Sequence, residues 1–399
     1  MLERLAFGEL PRKHHIALHD ASGRLRYEEC LTRRGFDGPY TIAYHSDRPQ
    51  ALRATGETWS EAFEPGGALG DGASGPPNDL RRTHYRTLAL ATTAPGVALE
   101  FPLLYNADLV LGVRRPRQND ATYRINASAD ELWFILDGAG TVRSLLGDLD
   151  FVAGDYVALP KGLLYRLLLE GQGPQHYLIL EFPRGVGIPA RFRNPVGQIK
   201  MDAPYSHRDF KRPRFTGPND EGLREVWVKT GRQRHKFAYP HNPLDVVGWD
   251  GTLYPWAFPI LNFQPRVSSV HLPPTWHGTF EAPGALICSF VPRPLDFHPE
   301  AIPCPYTHTS ADVDEVLFYV AGDFASRLGV GRGSLTHHPG GIPHGPHPGR
   351  YEASPGAVRT DEIAVMLDCS SRLWPTAMAR AVEAGDYEAS FHDALASTS

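Results

Sequence analysis

One β-strand unit occurs twice in this chain of 399 residues, and the repeat constrains the fold more than any other feature. The first copy, DELWFILDG, runs from Asp130 to Gly138, and the second, DEVLFYVAG, runs from Asp314 to Gly322. Each copy places a Glu seven residues before a Gly, and each is followed further along the chain by a Pro-x-Gly turn. Two copies of one β unit predict two β-barrels, stacked or side by side.

Short apolar runs separated by turn residues extend this β pattern along the chain. The runs predicted as strands are 132–136, 151–159, 177–182, 285–291, 316–320 and 363–367. The stretch before about residue 84 is predicted to be loop-rich, with an exposed loop at 66–78, and 183–226 is predicted to be irregular. The only predicted helix covers 375 to about 395, with Pro375 in its first turn. We therefore expect an all-β fold with a short C-terminal helix.

The composition agrees with two globular domains, which we place at residues 1–220 and 221–399. The 39 Gly and 36 Pro have no collagen-like period, so they punctuate many short elements. A net charge of −5 gives no reason to expect nucleic acid or an anionic membrane as partner. The four cysteines form no CxxC pair, residues 1–10 lack a signal-peptide core, and no run of 18 apolar residues occurs. These features predict a cytoplasmic protein.

The second copy of the repeat carries a spaced set of metal-binding side chains. His308 lies seven residues before Glu315, and the later segment PGGIPH ends at His344. The pattern resembles the two cupin motifs, His-x-His-x(4)-Glu-x(6)-Gly and Pro-x-Gly-x-x-His, with Ser310 in place of the second His. This resemblance implies two jelly-roll β-sandwich domains, a bicupin, with His308, Glu315 and His344 as metal ligands in the second domain.

The predicted ligand set indicates a particular chemistry. Two imidazoles and one carboxylate leave three adjacent positions open on an octahedral ion, which is typical of non-haem Fe(II) oxygen chemistry. A chelating substrate can take two of these positions and O₂ the third. We therefore predict Fe(II) as the cofactor. A cupin that uses Mn or Ni for other chemistry and a non-catalytic bicupin remain alternatives.

The first copy of the repeat has lost the corresponding ligands. Arg124 lies seven residues before Glu131, Asn126 takes the other His position, and Tyr165 ends the second motif. A permanently protonated Arg is a poor ligand, so the first barrel is predicted to be metal-free and structural. Of the remaining histidines, those expected to line the mouth of the site or to shape a turn are His337, His338 and His347.

At these residues the chain resembles the homogentisate 1,2-dioxygenase family. The segments that carry the likeness are GELPRKHH at 8–15, DVVGWDG at 245–251, and the block from Tyr306 through the PHGP that contains His344. The resemblance implies oxidative opening of homogentisate to maleylacetoacetate, in tyrosine and phenylalanine breakdown. A small aromatic substrate and O₂ would be the partners, and a trimer or a dimer of trimers the assembly.

The same resemblance implies a second-sphere His that hydrogen-bonds the substrate hydroxyl and can take its proton. His271 is the best match and His277 the fallback, and a hydrogen-bonded wall residue is the alternative for His271. The family also places a Tyr nine residues after the Glu ligand, where it helps to hold the substrate carboxylate. Phe324 occupies that position here and has no hydroxyl. A different hydroquinone or catechol ring is therefore the competing substrate class.

Overall fold

The computed structural model describes residues 2–60, 80–90, 100–324 and 326–392. Its secondary structure is almost entirely β, which confirms the predicted fold class. The α-helices of the described ranges are α1 (Arg350–Ala353) and α2 (Ala377–Ala381). Single turns of 3-10 helix occupy Pro49–Ala51, Thr87–Ala89, Ala190–Phe192, His207–Asp209, Ile260–Asn262, Pro274–His277 and Ala389–Phe391. None of these described helices is long and apolar enough to span a bilayer.

The strands divide about equally between the two halves of the chain. In the first half they are β1 (Leu5–Gly8), β2 (Tyr27–Thr32), β3 (Tyr40–His45), β4 (Arg53–Ser60), β5 (Thr83–Arg86), β6 (Glu100–Tyr105), β7 (Val110–Arg114), β8 (Tyr123–Asn126), β9 (Asp130–Asp137), β10 (Ala139–Ser144), β11 (Gly147–Val152), β12 (Asp155–Leu159), β13 (Leu164–Glu170) and β14 (His176–Phe182). In the second half they are β15 (Glu225–Thr230), β16 (Gln233–Ala238), β17 (Val246–Gly251), β18 (Trp256–Pro259), β19 (Gly278–Ala282), β20 (Ala285–Phe290), β21 (Arg293–Pro294), β22 (Asp314–Ala321), β23 (Ser334–His338), β24 (Arg359–Thr360), β25 (Ile363–Cys369) and β26 (Trp374–Pro375).

All six predicted strands are confirmed, although the run at 151–159 is divided between β11 and β12. Gly154 makes the break because it adopts a positive φ of 89°, which favours glycine. The predicted irregular region at 183–226 contains only 3-10 turns and isolated bridges until β15 begins. The predicted loop at 66–78 lies outside the described residues.

Two seven-stranded sheets form the first sandwich. Their strand orders are β11-β10-β13-β8-β15-β16-β4 and β18-β12-β9-β14-β7-β6-β26. The inner faces of the two sheets contact each other through aromatic rings. The ring centroids of Trp133 on β9 and Tyr165 on β13 are 5.9 Å apart, and those of Phe151 on β11 and Tyr177 on β14 are 5.7 Å apart. Edge-to-face contacts of this kind are favourable beyond the area that they bury.

The second sandwich is built on a six-stranded sheet of order β19-β20-β25-β22-β23-β5, with the small pair β21-β24 beside it. The repeat strands lie inside their sheets, β9 between β12 and β14, and β22 between β25 and β23. One face of β22 presents Glu315, Leu317 and Tyr319 to a cavity. From the other face, Phe318 packs against Phe134 of β9 at 6.4 Å. Since both faces are covered, the repeat strand is continuously apolar rather than alternating.

Hydrogen-bonded pairing crosses the predicted domain boundary at residue 220 in both directions. The strands β15, β16 and β18 follow that boundary but pair within the two sheets of the first sandwich. The late strand β26 likewise pairs with β6 in the first sandwich, whereas β5, which precedes the boundary, pairs with β23 in the second. Each sandwich thus contains strands from both halves of the chain. The division into domains at 1–220 and 221–399 stays a prediction.

The stretch before residue 84, predicted to be loop-rich, contains β1 to β4, but most of its described residues lie outside strands and helices. One local prediction is wrong. The predicted C-terminal helix shrinks to the five residues of α2, and Pro375 lies in β26 instead of the first helical turn. After α2 the chain runs beside β5, where the Ala384 N–H donates to the carbonyl of His84 at 2.8 Å. Tertiary strand pairing thus overrides the local helical pattern.

A charged cluster around the buried His45 joins strands of the remaining sheet, whose order is β1-β17-β3-β2. His45 ends β3, with Nδ1 2.6 Å from the Asp245 carboxylate and Nε2 3.1 Å from the Glu29 carboxylate. Burial alone would lower the pKa of His45, but these two hydrogen bonds raise it to about 9. The protonated ring donates from both nitrogens, so it links β2 and β3 to the segment that enters β17.

Candidate metal centre

The structure brings together the three side chains predicted as metal ligands. His308 and His344 pair through their backbones, each N–H donating to the other's carbonyl at 2.9 Å. Glu315 extends from β22 toward both rings, with its Oε2 3.9 Å from His308 Nε2 and 4.0 Å from His344 Nε2. One ligand atom from each residue lies within 4.8 Å of the other two. The geometry is that of a single possible ion site.

Backbone carbonyls fix which nitrogen of each ring is free. His308 Nδ1 lies 3.4 Å from the Tyr306 carbonyl, and His344 Nδ1 lies 3.1 Å from the Ile342 carbonyl. A carbonyl oxygen only accepts, so each Nδ1 carries the proton and each Nε2 keeps its lone pair. His344 Nε2 is buried and has no hydrogen-bond partner. Both lone pairs are therefore held ready for a cation.

The carboxylate of Glu315 is held ionised by its neighbours. Its Oε1 accepts a hydrogen bond from Nδ1 of His338 at 2.7 Å, and the guanidinium of Arg327 lies 3.8 Å away. Burial alone would raise the pKa of Glu315, but the His338 hydrogen bond and the nearby positive charge hold it at about 2. Oε2 remains turned toward the two imidazoles, so one carboxylate oxygen accepts from His338 and the other faces the candidate ion site.

These observations fit a divalent transition-metal ion. The donor set consists of two imidazole nitrogens and one carboxylate oxygen, and the unpartnered buried Nε2 of His344 is the kind of polar atom that a metal satisfies. His308 and Glu315 also line a cavity of about 120 Å³. That space holds on the order of ten water-sized atoms, which is the size of one substituted ring.

Comparisons with known proteins identify the family of the chain. A protein of Saccharolobus solfataricus, provisionally named a dioxygenase, is 31% identical over 391 residues, which cover 96% of this chain and 98% of the relative. The profile of the homogentisate 1,2-dioxygenase N-terminal family matches residues 116–260. The chain belongs to the homogentisate 1,2-dioxygenase family. This membership confirms the predicted resemblance and the oxygenase class, and it implies a metal cofactor.

Other relatives match over shorter ranges. The homogentisate 1,2-dioxygenase of Bradyrhizobium diazoefficiens is 26% identical over 254 residues, which cover 60% of this chain. The chain spans 55% of the length of that relative. Among solved structures, a cupin 2 conserved barrel domain protein from Leptotrichia buccalis covers 72% of this chain and 96% of its own, at 9% identity and a TM-score of 0.33.

Phe324 occupies the position where the family resemblance implies a Tyr. Phe324 is buried in the cavity wall and packs edge-on against Tyr319 at 4.7 Å. The Tyr319 hydroxyl does not replace the missing one freely, because it lies 3.1 Å from the hydroxyl of Thr336 on β23. This part of the wall is therefore more apolar than the family pattern implies.

Both candidate second-sphere histidines line the same cavity as His308 and Glu315. His271 packs edge-on against Tyr306 at 5.2 Å, and its Nδ1 lies 3.7 Å from the Asp296 carboxylate. Burial lowers the pKa of His271, with further contributions from Arg293 and His308, while Asp296 opposes the shift. His271 is therefore neutral at neutral pH, and its catalytic role remains a prediction.

The first copy of the repeat uses its Glu for internal hydrogen bonding. Glu131 accepts from the Asn126 amide at 3.0 Å, from the Trp133 indole at 2.8 Å and from the Tyr165 hydroxyl at 3.1 Å. Burial is the largest cause that raises the pKa of Glu131. Asn126 and Tyr165 take the positions of two motif ligands. By donating hydrogen bonds to Glu131, they offset the free-energy cost of burying its carboxyl group.

Sequence reasoning missed the role of His338. His337, His338 and His347 do not line the mouth of the site but are buried, with exposures of 3% or less. His338 is the direct cross-strand partner of Glu315 in the β22–β23 pair, so their side chains share one face. His337 falls on the opposite face and bonds Asp314 at 2.8 Å. The register of this strand pair was the signal that could have separated the two histidines.

Proposed function

We propose that the protein is an Fe(II)-dependent dioxygenase that opens a dihydroxylated aromatic ring. The observation that carries the proposal is the convergence of His308, Glu315 and His344, with both imidazole Nε2 atoms and one carboxylate oxygen facing a common point beside a ring-sized cavity. Family membership supports the reaction class, and homogentisate, which the family opens to maleylacetoacetate, is the first substrate to test.

His308, Glu315 and His344 would hold the metal. Fe(II) bound there would bring ring oxygens and O₂ together and let electron density pass between them. His338 and Arg327 keep Glu315 ionised and fixed in orientation, so this ligand needs no proton loss when the ion binds.

His271 would manage the substrate proton. Its neutral imidazole can accept a proton from a ring hydroxyl, because burial lowers its pKa and leaves a basic nitrogen unprotonated at neutral pH. The Asp296 carboxylate, 3.7 Å away, would then face the imidazolium and stabilise it. The Tyr306 ring packs edge-on against the imidazole and restricts its orientation.

Oxygen uptake tests this proposal. We expect Fe(II)-loaded protein to consume O₂ with at least one ring of a panel of homogentisate and other hydroquinones and catechols. We expect His344→Ala to lose both bound iron and uptake, whereas Tyr165→Phe, in the first sandwich, keeps the iron. Absence of uptake with every ring would refute the proposal. Restoration of activity by Mn or Ni alone would indicate another metal-dependent cupin chemistry, and ligand binding that survives His344→Ala would indicate a non-catalytic bicupin.

We also propose, from family resemblance, that the chain assembles as a trimer or a dimer of trimers. Light scattering coupled to size-exclusion chromatography measures the mass of the particle directly. A mass equal to the 44.1 kDa of one chain at micromolar concentration would contradict this assembly.

A further inference from the structure

The stretch of chain at residues 383–392, here called the C-terminal segment, packs beside the candidate metal centre. Glu388 in this segment accepts from the guanidinium of Arg82 through both carboxylate oxygens, at 2.7 and 3.0 Å. Further along, the hydroxyl oxygen of Ser390 lies 2.9 Å from Nε2 of His347. Two separate parts of the chain therefore fix the position of the segment.

Tyr387 connects the C-terminal segment to the surroundings of the metal centre. It is 3% exposed, and its ring packs edge-on against the rings of His84 and His347, each at 5.5 Å. Its hydroxyl oxygen lies 3.1 Å from Nε2 of His338, which is fully buried. The segment therefore reaches the residue that hydrogen-bonds the predicted Glu ligand.

His338 contacts two of the three predicted metal ligands. Its Nδ1 lies 2.7 Å from Glu315 Oε1, and its ring stacks on that of His344 with the centroids 5.2 Å apart. The Tyr387 ring is also nearly parallel to the His338 ring, at 6.2 Å. Rotation of the His338 ring would therefore disturb both Glu315 and His344.

The hydrogen bonds run in one direction, from Tyr387 to Glu315. The Glu315 carboxylate accepts, so Nδ1 of His338 carries a proton. Full burial disfavours the charged form of an imidazole, so Nε2 of His338 keeps its lone pair and accepts. The Tyr387 hydroxyl is then the donor. With both nitrogens hydrogen-bonded, the His338 ring is held in one tautomer and one orientation.

We propose that Tyr387 is a positioning residue of the metal centre, which acts through His338 to hold Glu315 in the orientation that binds the ion. The C-terminal segment is thereby part of the metal site, although none of residues 383–392 is a predicted ligand. This inference rests on the metal site of the proposed function and not on its ring chemistry, so it can be tested without a substrate.

The metal affinity of a Tyr387→Phe variant tests the inference. The substitution removes the hydroxyl and keeps the ring, and we expect it to weaken Fe(II) binding by about 2–10-fold, the effect of one lost hydrogen bond. Competition with a chromophoric chelator under oxygen-free conditions measures this affinity. Tyr85→Phe is the matched control, because Tyr85 is also buried, lies on β5 of the same sheet as His338, and has its hydroxyl 3.1 Å from Thr83 Oγ1. This control should leave the affinity unchanged.

Two further measurements separate positioning from a general loss of stability. In a His338→Leu background, Tyr387→Phe should have no additional effect on metal affinity, because the hydroxyl then has no imidazole to orient. The visible spectrum of Co(II) bound in place of iron reports the geometry of the ligands. We expect this spectrum to change in Tyr387→Phe and to match that of the wild type in Tyr85→Phe.

Two results would overturn the inference. They are an unchanged Fe(II) affinity in Tyr387→Phe, and a loss in the His338→Leu background as large as the loss in the wild-type background. Failure of the proposed function has a different signature, since the protein would then bind iron with the expected effects of the variants but open no ring, and the role of Tyr387 would stand. A wild-type protein that binds no metal would overturn both proposals.

Discussion

Substitution of His338 should show that this residue contributes to metal affinity, apart from its contribution to the stability of the fold. His338 is fully buried, and its Nδ1–H donates to Glu315 Oε1 at 2.7 Å. A hydrogen bond to a charged group contributes about 1.5–3 kcal/mol, and loss of such an outer partner lowers metal affinity by about 10–100-fold. His338→Leu should therefore weaken metal binding by about this factor, while His338→Asn, which keeps a donor near the Nδ1 position, should recover part of it.

His337 provides the matched control on the same strand. It makes an equivalent buried bond, from Nε2 to the Asp314 carboxylate at 2.8 Å, but on the opposite face of β23. In a His337→Leu variant Asp314 still accepts from the N–H groups of Gly340 and Leu373, each at 2.8 Å. Both Leu variants should unfold at lower temperature, and only the His338 variant should lose metal affinity.

The assay is a competition titration of each variant with a chromophoric chelator, with thermal unfolding measured alongside on metal-free protein. The pH dependence adds an independent readout. Burial alone raises the pKa of a carboxyl, so without His338 the Glu315 carboxylate should take up protons at higher pH, and metal binding should fail at a higher pH than in the wild type. Equal metal affinities in the two Leu variants would refute the argument that His338 positions Glu315.

Three further outcomes follow from the structure. The stabilisation from His45, whose two carboxylate partners raise its pKa from 6.5 to about 9, is fully present below pH 6.5 and lost as the pH rises through about 9; denaturant unfolding should show a loss of up to about 3 kcal/mol, and a His45→Gln variant with the same profile would contradict this. Tyr165→Phe removes a donor to the buried Glu131 and should cost about 1–3 kcal/mol of stability without change in metal content, measured by unfolding and metal analysis. Phe324→Tyr supplies the hydroxyl that the family uses, and should tighten homogentisate binding by about tenfold with no effect on hydroquinone, as calorimetry would show.

The candidate ligands could be predicted from the sequence because each lies within a short motif tied to the repeat. His308 and Glu315 are seven residues apart, and His344 ends a turn of fixed length. The repeat strands could be predicted as well, since β9 and β22 are covered on both faces and so form continuous apolar runs. These signals are local in the sequence, so they can be recognised without knowledge of the tertiary structure.

The surroundings of the site are not local. His338 contacts Glu315 because β22 and β23 pair in one particular register, and a shift of one residue would have presented His337 instead. His277 reaches the cavity from a 3-10 turn that no periodic pattern indicates. In such segments, neither residue type nor spacing predicts which face of the element a side chain will lie on.

The sequence by itself determined the β class, the repeat and the identity of the three convergent side chains. Only the tertiary structure decided that β5 and β26 exchange between the sandwiches, that the C-terminal helix stops after five residues, and that one histidine of an adjacent pair supports the ion site. The physical reason is that strand pairing joins segments such as 83–86 and 334–337, far apart in the chain, and fixes side-chain direction only when the partner strand is in place.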